Sequence, residues 1–191
     1  MSKSLVTYER NGAGELVAIA AMPKSGAVLC LDTSTSMGDC DGSRELRRID
    51  VLASVLAEIL SSVELVACCS FGWHVTEIPL SGDINVPEPA GTTPMHKAIA
   101  WALTKSPKRI VVVTDGAPDS RELCMTEAAE CRRRGVVLDA YYCGAAGDEC
   151  ERWLKSLVAA AAPGGQAGQF LLTGPNASKA ADEIILRLTH G

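Results

Sequence analysis

The side chains with the clearest chemistry in this sequence are oxygen ligands. Asp32 ends the apolar run "AVLCLD", and Ser34 and Ser36 follow it at alternate positions. Asp115 ends a second apolar run, "RIVVVTD", and Thr93 stands just before a helical segment, "PMHKAIAWALTK". Carboxylates and hydroxyls with no nearby histidine or thiol suit Mg²⁺ or Mn²⁺ rather than zinc. The sequence therefore predicts a divalent metal site made of Asp32, Ser34, Ser36, Thr93 and Asp115.

Each of these residues also has a purely structural explanation. The stretch after Asp32 could be a polar turn that caps the following helix, and Thr93 before Pro94 is typical of a helix N-cap. In an extended loop, however, alternation would turn Asp32, Ser34 and Ser36 toward one side. The coincidence of all five residues at the ends of predicted elements favours the metal site.

The elements that must position these residues alternate between strands and helices. After residue 24, short β-branched runs alternate with helical stretches, which predicts βαβ units and a mostly parallel sheet. The runs "ELVACCSFG" and "WHVTEIPL" meet around Gly72, so we expect an antiparallel hairpin at one sheet edge. Ligands of such sheets bind beyond the carboxyl ends of the strands, where strand order reverses. Right-handed crossovers would bring Asp32 and Asp115 together there.

At these residues the chain resembles the von Willebrand factor type A (vWA) domains. Their metal ion-dependent adhesion site (MIDAS) combines a D-x-S-x-S loop with a later threonine and a later aspartate, here in "DTSTS", "GTTPM" and "TDG". The resemblance implies an α/β, doubly wound, Rossmann-like sheet of strand order 3-2-1-4-5-6, with one antiparallel edge strand and helices on both faces. Thr35 departs from the family, which often has glycine there, and we expect its side chain to point away from the metal.

The resemblance also implies a function and a division of the chain. Residues 26–191 would form the vWA domain, and residues 1–25 a separate N-terminal segment that reads as a β-hairpin or an arm. The expected cofactor is Mg²⁺, with Mn²⁺ or Ca²⁺ as alternatives, and an Asp or Glu of a partner protein would complete its coordination. We expect this chain to be most similar to bacterial family members that consist of the vWA domain alone. That similarity suggests an adaptor for an ATPase or a stress-response complex.

Composition and missing motifs argue against other functions. The net charge of −5 and the dispersed basic residues disfavour nucleic-acid binding. No stretch reads as a signal sequence or a membrane span, so we expect a cytoplasmic protein. We expect no enzyme, because phosphate-loop, H-E-x-x-H and G-x-S-x-G motifs are absent and Ser34 stands where a haloacid dehalogenase-type phosphatase needs a carboxylate. A phosphatase-like hydrolase and a nucleic-acid-associated vWA protein remain the alternatives.

The cysteines form no recognisable ligand pattern. The chain has eight of them, but no C-x-x-C pair, and its length makes a disulfide framework unnecessary. We expect mostly reduced thiols and no structural zinc.

Overall fold

The computed structural model describes residues 6–10, 16–20, 25–40, 47–81, 85–172 and 177–190. Within them, strands and helices alternate along most of the chain. The strands are β1 Val6–Arg10, β2 Leu16–Ala20, β3 Ala27–Asp32, β4 Ala67–Phe71, β5 Val75–Ile78, β6 Arg109–Thr114, β7 Val137–Tyr142 and β8 Phe170–Leu172. The helices are α1 Arg48–Ser62, α2 Met95–Thr104, α3 Arg121–Arg134, α4 Glu149–Ala160 and α5 Ala177–His190.

The central sheet has six strands in the order β5-β4-β3-β6-β7-β8. Numbered from β3, this is the predicted order 3-2-1-4-5-6, which is therefore confirmed. All neighbouring strands run parallel except β5, which pairs antiparallel with β4 in the predicted edge hairpin. The order reverses between β3 and β6, so the crevice of this fold lies beyond the carboxyl ends of those two strands.

Helices cover both faces of the sheet, and each face has its own apolar core. Alternate residues of β3 belong to the two cores. Val28 and Cys30 of β3 belong to the core under α2, α3 and α4. Leu29 and Leu31 belong to the core under α1 and α5. Burial on both faces explains why β3 and β6 read as unbroken apolar runs in the sequence.

Strand register decides which residues meet at the crevice. Leu31 of β3 lies opposite Val113 of β6. The residues that follow them, Asp32 on β3 and Thr114 on β6, therefore also lie side by side. The sequence predicts that Asp32 and Asp115 converge at this crevice. The structure brings both carboxylates into one hydrogen-bonded group, with Thr114 directly beside Asp32 and Asp115 one residue further, in the following loop.

The start of one helix departs from the sequence prediction. Helix α2 begins at Met95, with Pro94 at its N-cap rather than at its first turn.

The N-terminal strands β1 and β2 pair antiparallel in a separate two-stranded sheet, with Val6 opposite Ala20. The turn between them lies outside the described residues. Among the described helices, none combines the length and the apolar character needed to cross a membrane.

Candidate metal centre

The hydroxyl loop after β3 is a tight turn. The Asp32 Oδ1 accepts a hydrogen bond of 2.8 Å from the backbone N–H of Ser34, and a short 3₁₀ helix then runs from Thr35 to Gly38. The prediction of an extended loop is therefore wrong. The hydrogen bond from the Ser34 N–H to the Asp32 carboxylate closes a turn, and the 3₁₀ helix follows it. The turn still brings the hydroxyls together, with the Ser34 and Ser36 Oγ atoms 3.2 Å apart.

Asp32 is a fully buried carboxylate at the end of β3. Its Oδ2 accepts a 2.5 Å hydrogen bond from the Thr114 hydroxyl. Burial disfavours the charged form and raises the pKa of Asp32 to about 7, although the hydrogen bonds from Thr114 and Ser34 act in the opposite direction. A cation that restored the charged form would relieve this cost of burial.

Asp115 joins the group from the end of β6, with a side chain that is fully buried. Its Oδ1 accepts a hydrogen bond of 2.8 Å from the Ser36 hydroxyl. Its Oδ2 lies 2.6 Å from Nη1 of Arg48, the first residue of α1. The same Nη1 donates to the backbone oxygen of Ser36 at 3.2 Å. Arg48 thus ties helix α1 to both the hydroxyl loop and the Asp115 carboxylate.

Thr93 lies in the neighbouring loop and is nearly buried. Its backbone N–H donates to Asp119 Oδ1 at 2.8 Å, and its carbonyl accepts from the N–H of Asp119 at 3.0 Å. No side chain caps α2, so the N-cap explanation of the Thr93 hydroxyl is not supported. Among the described residues, no hydrogen bond joins Thr93 to Asp32, Ser34, Ser36 or Asp115.

The loop of Thr93 is held against the hydroxyl loop by backbone contacts. The N–H of Ala90 donates to the Thr33 carbonyl at 2.8 Å. The Thr35 hydroxyl donates to the Gly91 carbonyl at 3.0 Å. Thr35 therefore bonds to the neighbouring loop and not to the two carboxylates.

The donor set fits a small hard cation. Ligands at right angles on Mg²⁺, each about 2.1 Å from it, lie about 3 Å apart. The Ser34–Ser36 separation of 3.2 Å and the Ser36–Asp115 separation of 2.8 Å match that spacing. Because Ser36 donates its proton to Asp115, the Ser34 hydroxyl is the donor in its contact with Ser36, which leaves one lone pair of the Ser36 oxygen available to a cation.

Three solved structures with the same architecture are distant from this chain in sequence. The SpRpn10 VWA domain superposes with a TM-score of 0.63 at 11% identity, over 86% of this chain and 94% of that one. This chain has the vWA fold. Manganese-loaded TRAP from Plasmodium vivax gives a TM-score of 0.56 at 17% identity, over 86% of this chain and 72% of that one.

A third vWA-fold structure is proximal thread matrix protein 1 (PTMP1) from the mussel byssus, with a zinc-occupied MIDAS motif. It gives a TM-score of 0.57 at 15% identity and covers 83% of this chain. The chain spans less than half of PTMP1, 44% of its length. No protein-family model matches the sequence, and no curated protein resembles it.

Sequence reasoning missed two residues of the group. Thr114 immediately precedes Asp115, and its place at the end of a buried strand was a usable signal. Arg48 had no such signal, because it lies 67 residues from Asp115 in the chain and nothing in the pattern around it points to the crevice.

Proposed function

We propose that this vWA-fold chain is a metal-dependent protein-interaction module. It binds a divalent cation through Ser34, Ser36 and Thr93, while Asp115 holds the Ser36 hydroxyl and Asp32 holds the backbone of Ser34. The cation in turn binds an Asp or Glu of a partner protein. The observation that carries the proposal is the Ser34–Ser36–Asp115 cluster, whose oxygens are spaced at 3.2 and 2.8 Å.

The chain's own residues prepare the site for a cation. The Thr114 hydroxyl and the Ser34 N–H orient the Asp32 carboxylate, and Arg48 fixes Asp115. The bound cation would supply a strong attraction for one more anionic oxygen. A carboxylate on another protein provides that oxygen without any bond being broken, which makes the cation part of an interface.

The solved relatives support a divalent cation. TRAP was crystallised loaded with manganese, and PTMP1 with zinc in its MIDAS motif. We favour Mg²⁺ as the resident ion, with Mn²⁺ or Ca²⁺ as substitutes, since the donor set consists of hard oxygens.

We propose a binding role rather than an enzymatic one. In the described part of the chain, the side chains of Asp32, Ser34, Ser36 and Asp115 form hydrogen bonds only with each other, with Thr114 or Arg48, and with the Ser34 backbone N–H. Among the residues that the structure describes, no histidine, lysine or thiol is hydrogen-bonded to these four side chains as a general acid, base or nucleophile would be. The role of an adaptor for an ATPase or a stress-response complex, in the cytoplasm of a bacterium, completes this proposal.

Metal binding is the first test. Titration calorimetry with MnCl₂ should give a dissociation constant between about 1 μM and 1 mM for the wild-type chain. Asp32→Ala should abolish the signal, while Glu58→Ala removes a carboxylate from the exposed side of α1 and should leave the isotherm unchanged. Identical isotherms for wild type and Asp32→Ala, with both proteins folded, contradict the assignment.

Partner binding is the second test. Proteins captured from the native cell by the immobilised chain should bind at least tenfold more weakly, about 1.4 kcal/mol, when EDTA is present. Replacing a single Asp or Glu on the partner should have the same effect. Capture that survives both EDTA and Asp32→Ala would mean that the partner binds elsewhere. Hydrolysis of p-nitrophenyl phosphate above the rate of Asp32→Ala would favour the hydrolase alternative.

A further inference from the structure

Arg48 places a permanent positive charge at the edge of the cation site. Its guanidinium contacts Asp115 Oδ2 at 2.6 Å and the Ser36 carbonyl at 3.2 Å. The Arg48 side chain is 21% exposed, and the Asp115 side chain is fully buried. An arginine does not lose its proton in a protein, so this charge persists at every physiological pH.

Asp115 is shared between Arg48 and the hydroxyl cluster. One carboxylate oxygen accepts from Ser36 and the other from Arg48. A cation bound through the Ser36 hydroxyl would therefore depend on a carboxylate that already forms an ion pair with the guanidinium. Two like charges around one partly desolvated carboxylate repel each other, and the repulsion is weakly screened by solvent.

We propose that Arg48 sets the charge balance of the site, lowering its affinity for the cation and raising the affinity of the loaded site for an anion. Asp32 and Asp115 offset the charge of a divalent ion, and the Arg48 guanidinium beside Asp115 opposes that offset with one positive charge. The loaded site is therefore more positive with Arg48 than with a neutral residue in its place. The guanidinium thus weakens the binding of the cation and strengthens the attraction of the loaded site for a partner's carboxylate. This inference rests on the proposed function, because it concerns the same cation and the same class of partner.

A purely structural role makes a different prediction. If Arg48 only fastens α1 to the end of β6, its loss should loosen Asp115 and weaken cation binding. If its charge is what matters, a neutral side chain of similar length should strengthen cation binding. The sign of the change in cation affinity therefore separates the two roles.

The first experiment measures Mn²⁺ binding by titration calorimetry in four variants. Arg48→Gln should bind Mn²⁺ at least about fivefold more tightly than wild type, and Arg48→Met should shift in the same direction. Arg48→Lys keeps the charge and should stay within about twofold. Arg47→Gln is the matched control, since the Arg47 side chain pairs with Asp50 and Glu88 instead, and it should also stay within about twofold.

The second experiment measures anion binding to the Mn²⁺-loaded chain. Acetate is titrated while water-proton relaxation reports the water that it displaces from Mn²⁺. Arg48→Gln should need at least about threefold more acetate than wild type, whereas Arg48→Lys should not. The lysine variant also tests the proposal if the neutral variants fail to fold, because a change of more than about fivefold there would show that geometry dominates.

The outcomes separate this inference from the proposed function. Wild-type protein that binds no Mn²⁺ overturns the proposed function itself. Wild-type protein that binds Mn²⁺, together with unchanged or weaker binding in a folded Arg48→Gln, overturns only the role of Arg48. Tighter Mn²⁺ binding with unchanged acetate binding overturns the second half of the proposal, the attraction for a partner.

Discussion

At the scale of single residues, the site depends on how a buried carboxylate is kept in place. Asp32 has no solvent exposure, and burying an unpaired charge is costly. The Thr114 hydroxyl and the Ser34 N–H each donate one hydrogen bond to it. These two donors hold the carboxylate at the base of the hydroxyl loop, where it shapes the turn that brings Ser34 and Ser36 together.

Thr114→Val removes the hydroxyl that faces Asp32 while keeping nearly the same shape. We expect Mn²⁺ affinity to fall about tenfold, as for other groups that orient metal-binding residues. We also expect the free energy of unfolding of the metal-free protein to fall by about 2 kcal/mol, because a buried charged group loses a hydrogen bond. Calorimetry and urea denaturation measure the two effects.

Thr126→Val is the control for Thr114→Val. The Thr126 hydroxyl donates to the Glu122 carbonyl on the exposed side of α3, so both quantities should be close to wild type. An unchanged Mn²⁺ affinity in Thr114→Val would show that the bond to Asp32 does not matter for the site.

At the scale of elements, the centre is assembled by loops that touch through their backbones. Gly72, the residue after β4, lies so close to the neighbouring loops that a Cβ there would lie 2.5 Å from the Ala90 oxygen. Gly91 has a φ of +87°, and a Cβ there would lie 2.5 Å from the Trp73 nitrogen. The loop that carries Thr93 can therefore reach the hydroxyl loop only because both positions lack a side chain.

Gly91→Ala should be strongly destabilising. The positive φ and the contact with Trp73 together should lower the free energy of unfolding by about 3 kcal/mol. Mn²⁺ affinity should also fall, since the Gly91 carbonyl bonds to Thr35 in the hydroxyl loop. Urea denaturation and calorimetry measure the two quantities.

Gly135→Ala separates backbone strain from crowding. Gly135 has a φ of +72° at the end of α3, but a Cβ there would meet nothing within 4 Å. It should cost about 1 kcal/mol and leave Mn²⁺ binding unchanged. Equal losses of stability in the two variants would rule out crowding by Trp73 as a cause.

At the scale of the whole molecule, burial determines the chemistry of the cysteines. None of the eight, all of which lie in described segments, forms a disulfide bond. Six are buried in the cores, and Cys40 is exposed. Burial raises the pKa of Cys150 to about 11 and that of Cys124 to about 12. The thiolate is the reactive form, so these buried thiols are doubly protected, by low access and by low ionisation.

Thiol titration with Ellman's reagent at pH 8 tests this arrangement. A thiol with a pKa of about 11 is about 0.1% ionised at that pH, so the buried cysteines should react slowly in the native protein. One fast thiol is expected, and Cys40→Ser should remove it. All thiols should react quickly in denaturant. Several fast thiols in the native protein would contradict the burial of the six cysteines. One zinc ion per chain would contradict the expectation that the cysteines bind no structural zinc.

The sequence by itself determined the sheet and the chemical type of the site. The alternation of strands and helices predicted a mostly parallel sheet, and the resemblance to vWA domains implied its strand order. Four of the five predicted site residues, Asp32, Ser34, Ser36 and Asp115, lie in one hydrogen-bonded cluster. These features follow from the sequence because apolar periodicity and the ends of strands are local properties of the chain.

Only the tertiary structure decided the finer contacts. The β3–β6 register put Thr114 rather than Asp115 beside Asp32, the turn at Ser34 replaced an extended loop, and α1 brought Arg48 to Asp115. Register and helix placement depend on how both cores fill, and a change of one residue in register changes which side chains meet. No local pattern encodes that choice, because it is made by the packing of all the elements together.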